Sequence, residues 1–438
     1  MIARRRTAFL KMVRLLRAAE ADPTDIAAVR ALNLGLLKEI LRDEGHVHRL
    51  RGEIKTVGRR LRVERLDKAS AALLRRSIKR QERALDRYLD QIFIWKCLGD
   101  GLAHAYIDTF NLKHAYFDTQ STDRRPDAGF MSGKSGLALE VDVLKGVLRA
   151  GVPAVLCDLT HVLRHGDVCI LAGEDPSFIE VKSGATLNQR GQRQLERLNQ
   201  LSRFLTNDGE PGFRGLPDVR RETMHSRPRD CIEDLNRCVE GAWRDGYNAV
   251  SPERGLVYLA CYGEDPPIDD LLPHLGMGAL LAFFPNGDKI DRTWAPYRPF
   301  VNSLRDVDRL YDFVVGALKI FVFVDAAHLC EGLAMPGFRA SLVEDRALAI
   351  VAENRTLGGH VAVSQQFVGR MGYEFLSPAW FIEEHRAVIT ALYEGAQLAA
   401  PAGLPAPDLD PLDAAASEAT AATVAAMPRR YTAEGPTA

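Results

Sequence analysis

The sequence predicts a mixed α/β protein led by an N-terminal helical bundle or coiled-coil hairpin. Two patterns predict it. Apolar residues at helical spacing run through the first 95 residues. From Gly136 the order becomes helix, strand, strand hairpin, helix. The composition permits both, since 46% hydrophobic and 26% charged residues over 438 positions are ordinary values for a chain with a core. Collagen-like, wholly disordered and small disulfide-stapled classes are excluded.

The elements follow in order. Leu50, Ile54, Val57 and Leu61 step by four, three and four residues, a coiled-coil-like seam through which the chain could form homo-oligomers. Leu73, Leu74, Ile78, Leu85, Leu89 and Ile92 continue a helical stripe, with breaks expected at Gly45 and Asp67. Residues 1–95 therefore read as a basic helical region. Trp95 to Phe110 is a further apolar helix, and residues 120–129 form a loop. Gly136 to Leu148 is an amphipathic helix, Ala154 to Leu163 a strand, and Gly166 to Leu171 a short strand. A turn over residues 172–177 leads to the strand Phe178–Lys182, and Gln189 to Phe204 is the next helix. This core is assigned to residues 96–250. Further strands are expected at 256–262, 279–284, 320–324 and 360–363, and a helix at 378–397. They make a C-terminal α/β extension, residues 251–398, either a second small domain or an elaboration of the first sheet. Residues 399–438, rich in Ala and Pro, read as a disordered tail.

The formal net charge of −1 suggests no polyanion partner, but its distribution does. Residues 1–90 hold 23 Lys and Arg against 12 Asp and Glu; of the 57 and 58 in the chain, 34 and 46 remain for the rest. Such asymmetry is a cue for nucleic-acid or membrane contact. The cations cluster on helix faces, among them Arg75, Arg76 and Lys79. Such a face is either simply solvated or a phosphate-contacting surface. Seven cysteines, odd in number and without a C-x-x-C pair, read as free thiols in a reducing compartment. A zinc site on Cys231 and Cys238 lacks a second ligand pair. No stretch is long and apolar enough to span a membrane, and charges interrupt the run after the N-terminal arginines. The expectation is a cytoplasmic protein without a membrane partner.

The chemistry concentrates in Gly166-Asp167 and Phe178-Ile-Glu180-Val-Lys182. Strand side chains alternate, so Glu180 and Lys182 share a face. A hairpin folding near Gly173 brings Asp167 beside Glu180. Two carboxylates and an ammonium at one place suit phosphodiester hydrolysis. Carboxylates hold Mg²⁺ or Mn²⁺ through hard oxygens, the metal activates water, and lysine answers the developing charge. Charges inside otherwise apolar strands need pairing or a metal.

The segment from about 136 to 205 resembles the PD-(D/E)xK nuclease superfamily, with its restriction-endonuclease-like core of helix, three-stranded meander, helix and strand. The resemblance implies metal ligation by Asp167 and Glu180, with the Val181 carbonyl as a further ligand. It implies catalytic charge on Lys182, auxiliary ligation by Glu140 on the first core helix, and support from Gln194 (or Gln192) on the second. Gly166 stands where the motif has proline. Arg164, at the end of the first strand, and Arg190 and Arg193, opening the second core helix, are candidate phosphate contacts. His161 and His165 are weaker candidates.

The expected function is a Mg²⁺-dependent endodeoxyribonuclease acting on DNA, in defence against foreign DNA or in repair. The first alternative is a catalytically inactive nuclease fold that binds nucleic acid or scaffolds. The second is a P-loop-like NTPase, because Ala128 to Ser135 fits a loosened phosphate-loop pattern carrying Lys134. That loop lacks an upstream strand, and Ser132 or Ser135 could instead cap the helix of Glu140. Asp325 with His328, and Glu383 with His385, suggest metal ligands only weakly.

Overall fold

A computed structural model of the chain describes residues 5–127, 129–182, 189–263, 279–343, 348–354 and 358–397. The expected tail, residues 399–438, lies outside them. The fold is mixed α/β with an N-terminal helical region, divided into two compact units. The first comprises Met1–Thr223 and Pro285–Lys319, the second Met224–Phe284 and Ile320–Ala438.

In the first unit three helices lead: α1 (Arg6–Ala21), α2 (Ile26–Val63) and α3 (Lys68–Tyr106). Asp25 and Asp67 cap α2 and α3, their carboxylates accepting from Ala28 N–H and from Ala69 and Ser70 N–H. The break expected at Gly45 does not occur; α2 runs straight through it. A glycine inside a helix costs only about 1 kcal/mol, less than the packing of buried Val47 and Leu50 just beyond it supplies. α2 and α3 pair antiparallel. Gln81 Nε2 donates to Glu53 Oε2 at 2.9 Å, His46 stacks on Tyr88 at 4.6 Å, and Trp95 Nε1 donates to Asp43 Oδ2 at 3.0 Å. The seam of Leu50, Ile54, Val57 and Leu61 lies on α2 of this hairpin, Leu50 buried and the other three half-buried.

The boundary drawn at residue 95 falls inside α3. Its first half is polar, with Arg75, Arg76 and Lys79 exposed, whereas Gln91 to Ala103 is almost wholly buried. Composition there reports exposure along one helix rather than a domain edge. Residues 285–319 complete the unit: Arg17 on α1 donates to the carbonyls of Val301 and Leu304 at 2.6 and 2.7 Å.

The core of the first unit continues with α4 (Leu137–Arg149), then β1 (Ala154–Leu156), β2 (Val168–Ile170) and β3 (Ser177–Ile179), and then α5 (Gln189–Asn207). The three strands form an antiparallel meander in the order β1-β2-β3. All three are shorter than expected. β1 gives way after Leu156 to a 3₁₀ turn, Cys157–Leu159, which carries Asp158 off the strand; His161 follows that turn and is not on a strand.

The second unit opens with α6 (Ile232–Asp245), which packs on β4 (Tyr247–Glu253) and β5 (Leu256–Tyr262). With β6 (Leu280–Phe283) and β7 (Leu318–Asp325) these strands form a separate sheet, ordered β4-β5-β7-β6. Val257, Leu259, Cys261, Phe321 and Phe323 are its core. After α7 (Ala326–Leu333), strands β8 (Phe338–Leu342), β9 (Leu348–Asn354) and β10 (His360–Ser364) make a small meander, followed by α8 (Gln365–Tyr373) and α9 (Pro378–Gln397). Asp325 ends β7 as the cap of α7, accepting from Ala327 and His328 N–H. No helix of the described residues is long and apolar enough to cross a membrane.

Candidate active site

Register brings the motif acids together. β2 and β3 pair with Val168 opposite Ile179, so the residue before β2 meets the residue after β3. Asp167 N–H donates to the Ile179 carbonyl at 2.9 Å, and Val181 N–H donates to Asp167 Oδ2 at 2.8 Å. The strand expected to reach Lys182 therefore stops at Ile179: a carboxylate, not a backbone carbonyl, takes the next N–H. Glu180, Val181 and Lys182 stand just past the strand end. Glu180 and Lys182 still share a side, and their side chains form an ion pair.

Gly166 has φ +66°, a conformation that proline, fixed near −65°, cannot adopt. A Cβ there would meet Phe178 Cβ at 3.1 Å and the Ile179 carbonyl at 3.2 Å. The tight approach of β2 to β3 thus accounts for glycine in front of Asp167.

Asp167 and Glu180 face a cleft of about 480 Å³, whereas Val181 and Lys182 stand outside its lining. Asp167, Glu180, Arg164, Arg193 and Gln194 all line it. Asp158, Lys134, Arg125 and Arg197 join them; sequence reasoning assigned none of these four to the site. The one signal for Asp158 is its place as the acid closing the apolar run that forms β1. Lys134 and Asp158 form an ion pair across the cleft.

The electrostatics are those of crowded carboxylates. Burial raises the Asp167 carboxyl above its ordinary range, and Glu180 adds to the effect; the Val181 hydrogen bond, Lys134 and Lys182 oppose it. Burial likewise raises Glu140, with Asp167, Asp158 and Glu180 contributing and Lys134 opposing. Glu140 sits buried in the first turn of α4 and belongs to the same acidic cluster. Burial would lower Lys134, but the hydrogen bond and charge of Asp158 outweigh it, so its ammonium is held above the ordinary range.

Arg164 lines the cleft with its donors engaged. It reaches Asp127 at 2.5 Å and the carbonyls of His161 and Arg125, and it stacks over Tyr116 at 4.3 Å. His165 is buried and pushed down to about 4, first by burial and then by Arg125. Arg125 can only donate, so Nδ1 of His165 accepts at 2.6 Å and Nε2 donates to the Phe117 carbonyl at 3.0 Å. His165 is a fixed neutral prop for Arg125 rather than a phosphate contact. The side chain of Arg190 lies outside the described residues; Gln192 is not among the cleft residues. Arg75, Arg76 and Lys79 stay on the exposed face of α3.

The phosphate-loop reading fails on geometry. The described residues before Gly129 form an isolated bridge, Phe117 with Arg124, and no strand; the Lys134 ammonium goes to Asp158. The expected serine cap also fails. Gly136 is the N-cap of α4 without a side-chain bond, while Ser132 N–H donates to Glu44 and its hydroxyl lies 3.0 Å from His48 Nε2. All seven cysteines are free thiols, six of them buried.

Among the described residues one group of Cys, Asp and His could approach a metal: Cys97, Asp100 and His161, with ligand atoms within 4.8 Å of one another. Asp100 is saturated, however. Its carboxylate accepts from His161 N–H at 2.7 Å, Val162 N–H at 2.9 Å and His161 Nδ1 at 2.8 Å. Burial would raise its carboxyl, but the charge of His161, followed by these bonds, holds it below the ordinary range. The group pins the segment after β1 to α3.

Comparison with protein-family models, with curated proteins and with solved structures finds no match to this chain.

Proposed function

We propose that this chain is a divalent-metal-dependent nuclease acting on DNA, with a restriction-endonuclease-like core of the PD-(D/E)xK kind. One observation carries the reading: β2–β3 register brings Asp167 and Glu180 to a cleft, with Lys182 ion-paired to Glu180 just outside its lining. The order α4, β1, β2, β3, α5, with an antiparallel meander, supports it.

The donors are of the kind a hard cation takes. Asp167, Glu180, Asp158 and Glu140 offer carboxylate oxygens, although among the described residues no three of them lie within 4.8 Å of one another; burial first and the neighbouring acids second raise the carboxyls of Asp167 and Glu140. Asp167 and Glu180 would hold Mg²⁺ or Mn²⁺, with the Val181 carbonyl as the third ligand that the resemblance implies. When bound, the ion activates water and offsets charge on the phosphate. The chain supplies the rest. Lys182, fixed through Glu180, presents its ammonium where charge develops on the phosphate oxygens. Val181 N–H keeps Asp167 oriented. Gln194 and Arg193 bound the cleft from α5, and Arg193 meets the phosphate backbone electrostatically.

A second reading, a nucleic-acid-binding protein without catalysis, is favoured by the pairing of both lysines near the acids, Lys134 with Asp158 and Lys182 with Glu180. One experiment separates the two: nicking of plasmid DNA with Mg²⁺ or Mn²⁺ by wild type, Asp167→Asn and Lys182→Ala. Cleavage by wild type alone is expected. Equal rates in all three, or none in wild type on any DNA or RNA substrate, would sink the nuclease reading.

A further inference from the structure

Beside the acid cleft the first unit holds a second pocket, of about 190 Å³. Lys96, from the buried half of α3, lines it with Arg124, Arg164, Arg292 and His161. Its cations divide into answered and unanswered. Arg164 is paired with Asp127, and Arg292 with Asp90 at 2.7 Å and with Asp86. Among the described residues the side chains of Lys96 and Arg124 make no hydrogen bond or ion pair.

Lys96 is the telling one. Burial pulls its ammonium below the ordinary lysine range, against the pull of Asp158, Glu44, Asp100 and Asp127. Each of those acids is engaged elsewhere. Asp158 holds Lys134, Glu44 accepts from Met131 and Ser132 N–H at 3.0 and 2.6 Å, Asp100 holds His161, and Asp127 holds Arg164. Lys96 is half-buried, and its ammonium, with three donors and no protein acceptor, is left to the pocket it lines. An anion would supply both the acceptors and the charge. At roughly 30 Å³ per water, the pocket has room for a tetrahedral oxyanion and several waters.

We propose that this pocket is an anion site that takes a single phosphate group, held by Lys96 with Arg124 at its mouth. Asp127, Leu163 and Arg164 belong to the walls of both cavities, so a phosphate here stands next to the acid cleft. The source of that phosphate rests on the nuclease reading: it is a backbone phosphate of bound nucleic acid, neighbouring the one to be cleaved. Free inorganic phosphate is the same chemistry from another source.

The test uses the full chain, titrated calorimetrically first with inorganic phosphate and then with a short DNA oligonucleotide in the non-cleaving Asp167→Asn background. Lys96→Met keeps length and burial but removes the charge; Lys96→Arg restores it. Phosphate affinity should fall roughly tenfold or more in Lys96→Met, fall less in Arg124→Ala, recover in Lys96→Arg and stay unchanged in Asp167→Asn. Oligonucleotide affinity should fall with Lys96→Met as well. If only phosphate binding responds, the site stands and its ligand is free phosphate. If phosphate binding depends on Lys96 while no nucleic acid is ever cleaved, the anion site stands and the nuclease reading fails. Equal phosphate binding by wild type and by Lys96→Met or Arg124→Glu, with thermal melts showing folded protein, overturns the proposal. So does absence of phosphate binding to wild type.

Discussion

The Asp100 group, one carboxylate with Cys97 and His161, contrasts with the crowded carboxylates around Asp167, and the contrast lies in how far each acid is satisfied. Asp100 accepts three hydrogen bonds, and its carboxyl is held below the ordinary range. Asp167 accepts one from Val181 while crowded by Glu180, and its carboxyl is raised. The first cluster has the residue types of a metal site and works as a structural knot. The second has surplus negative charge facing a cleft. A saturated acid stabilises the fold, and an unsaturated one is left to engage a ligand.

The largest effect that could break this contrast is on cleavage. Lys182→Ala is expected to slow metal-dependent nicking by about 10²- to 10³-fold, and Asp167→Asn by at least as much, with melting temperatures not lowered. Asp100→Ala should do the reverse. It strands buried donors and is expected to cost about 3 kcal/mol of stability in denaturant unfolding, with nicking per folded molecule retained. Loss of cleavage at unchanged stability in that variant would mean that the knot is a site.

A smaller effect concerns pH. The Asp167 carboxyl is raised in the fold, so the folded chain binds this proton more tightly than the unfolded chain. From the ordinary value of 3.8 up through the raised one, stability falls as pH rises. Asp167→Asn should therefore melt higher than wild type at neutral pH, with the gap closing below 3.8. Added Mg²⁺ should raise the wild-type melting temperature and leave the variant's nearly unmoved. A variant that melts lower throughout would place Asp167 with Asp100 as a structural acid. The smallest effect lies on α3. Substituting Arg75, Arg76 and Lys79 together by Ala should reduce the slope of log affinity for DNA against log salt by about three, one per lost phosphate contact. An unchanged slope would leave that face merely solvated.

Much of the core was legible because its signals are local. Hairpin register follows from apolar strands around a turn, so the meeting of Asp167 with Glu180 could be read from Gly166 to Lys182. The helices α4, α5 and α9 followed from apolar periodicity. What escaped depends on distant residues. Asp158 joins the site because β1 stops early in a 3₁₀ turn, and Lys134 because its loop folds back across the cleft. Lys96 looks like any polar residue of α3 until tertiary packing half-buries it against the second pocket. α6 and β4 were hidden in a stretch whose polar composition masked a helix with Leu235, Cys238 and Val239 buried on one face. The return of residues 285–319 to the first unit leaves no trace in composition.

The Lys134–Asp158 pair has a consequence for the segment it tethers. The segment from Gly129 to Gly136 is anchored at one end by Glu44 and at the other by a lysine serving as a tethered counterion within the acid cluster. Any cation that satisfies Asp158 competes with that tether and frees a stretch of backbone at the entrance to α4. Occupancy of the acids would then register as faster amide exchange at residues 133–136, a readout of loading that needs neither substrate nor turnover. Unchanged exchange there on adding Mg²⁺ would show that the tether holds through loading.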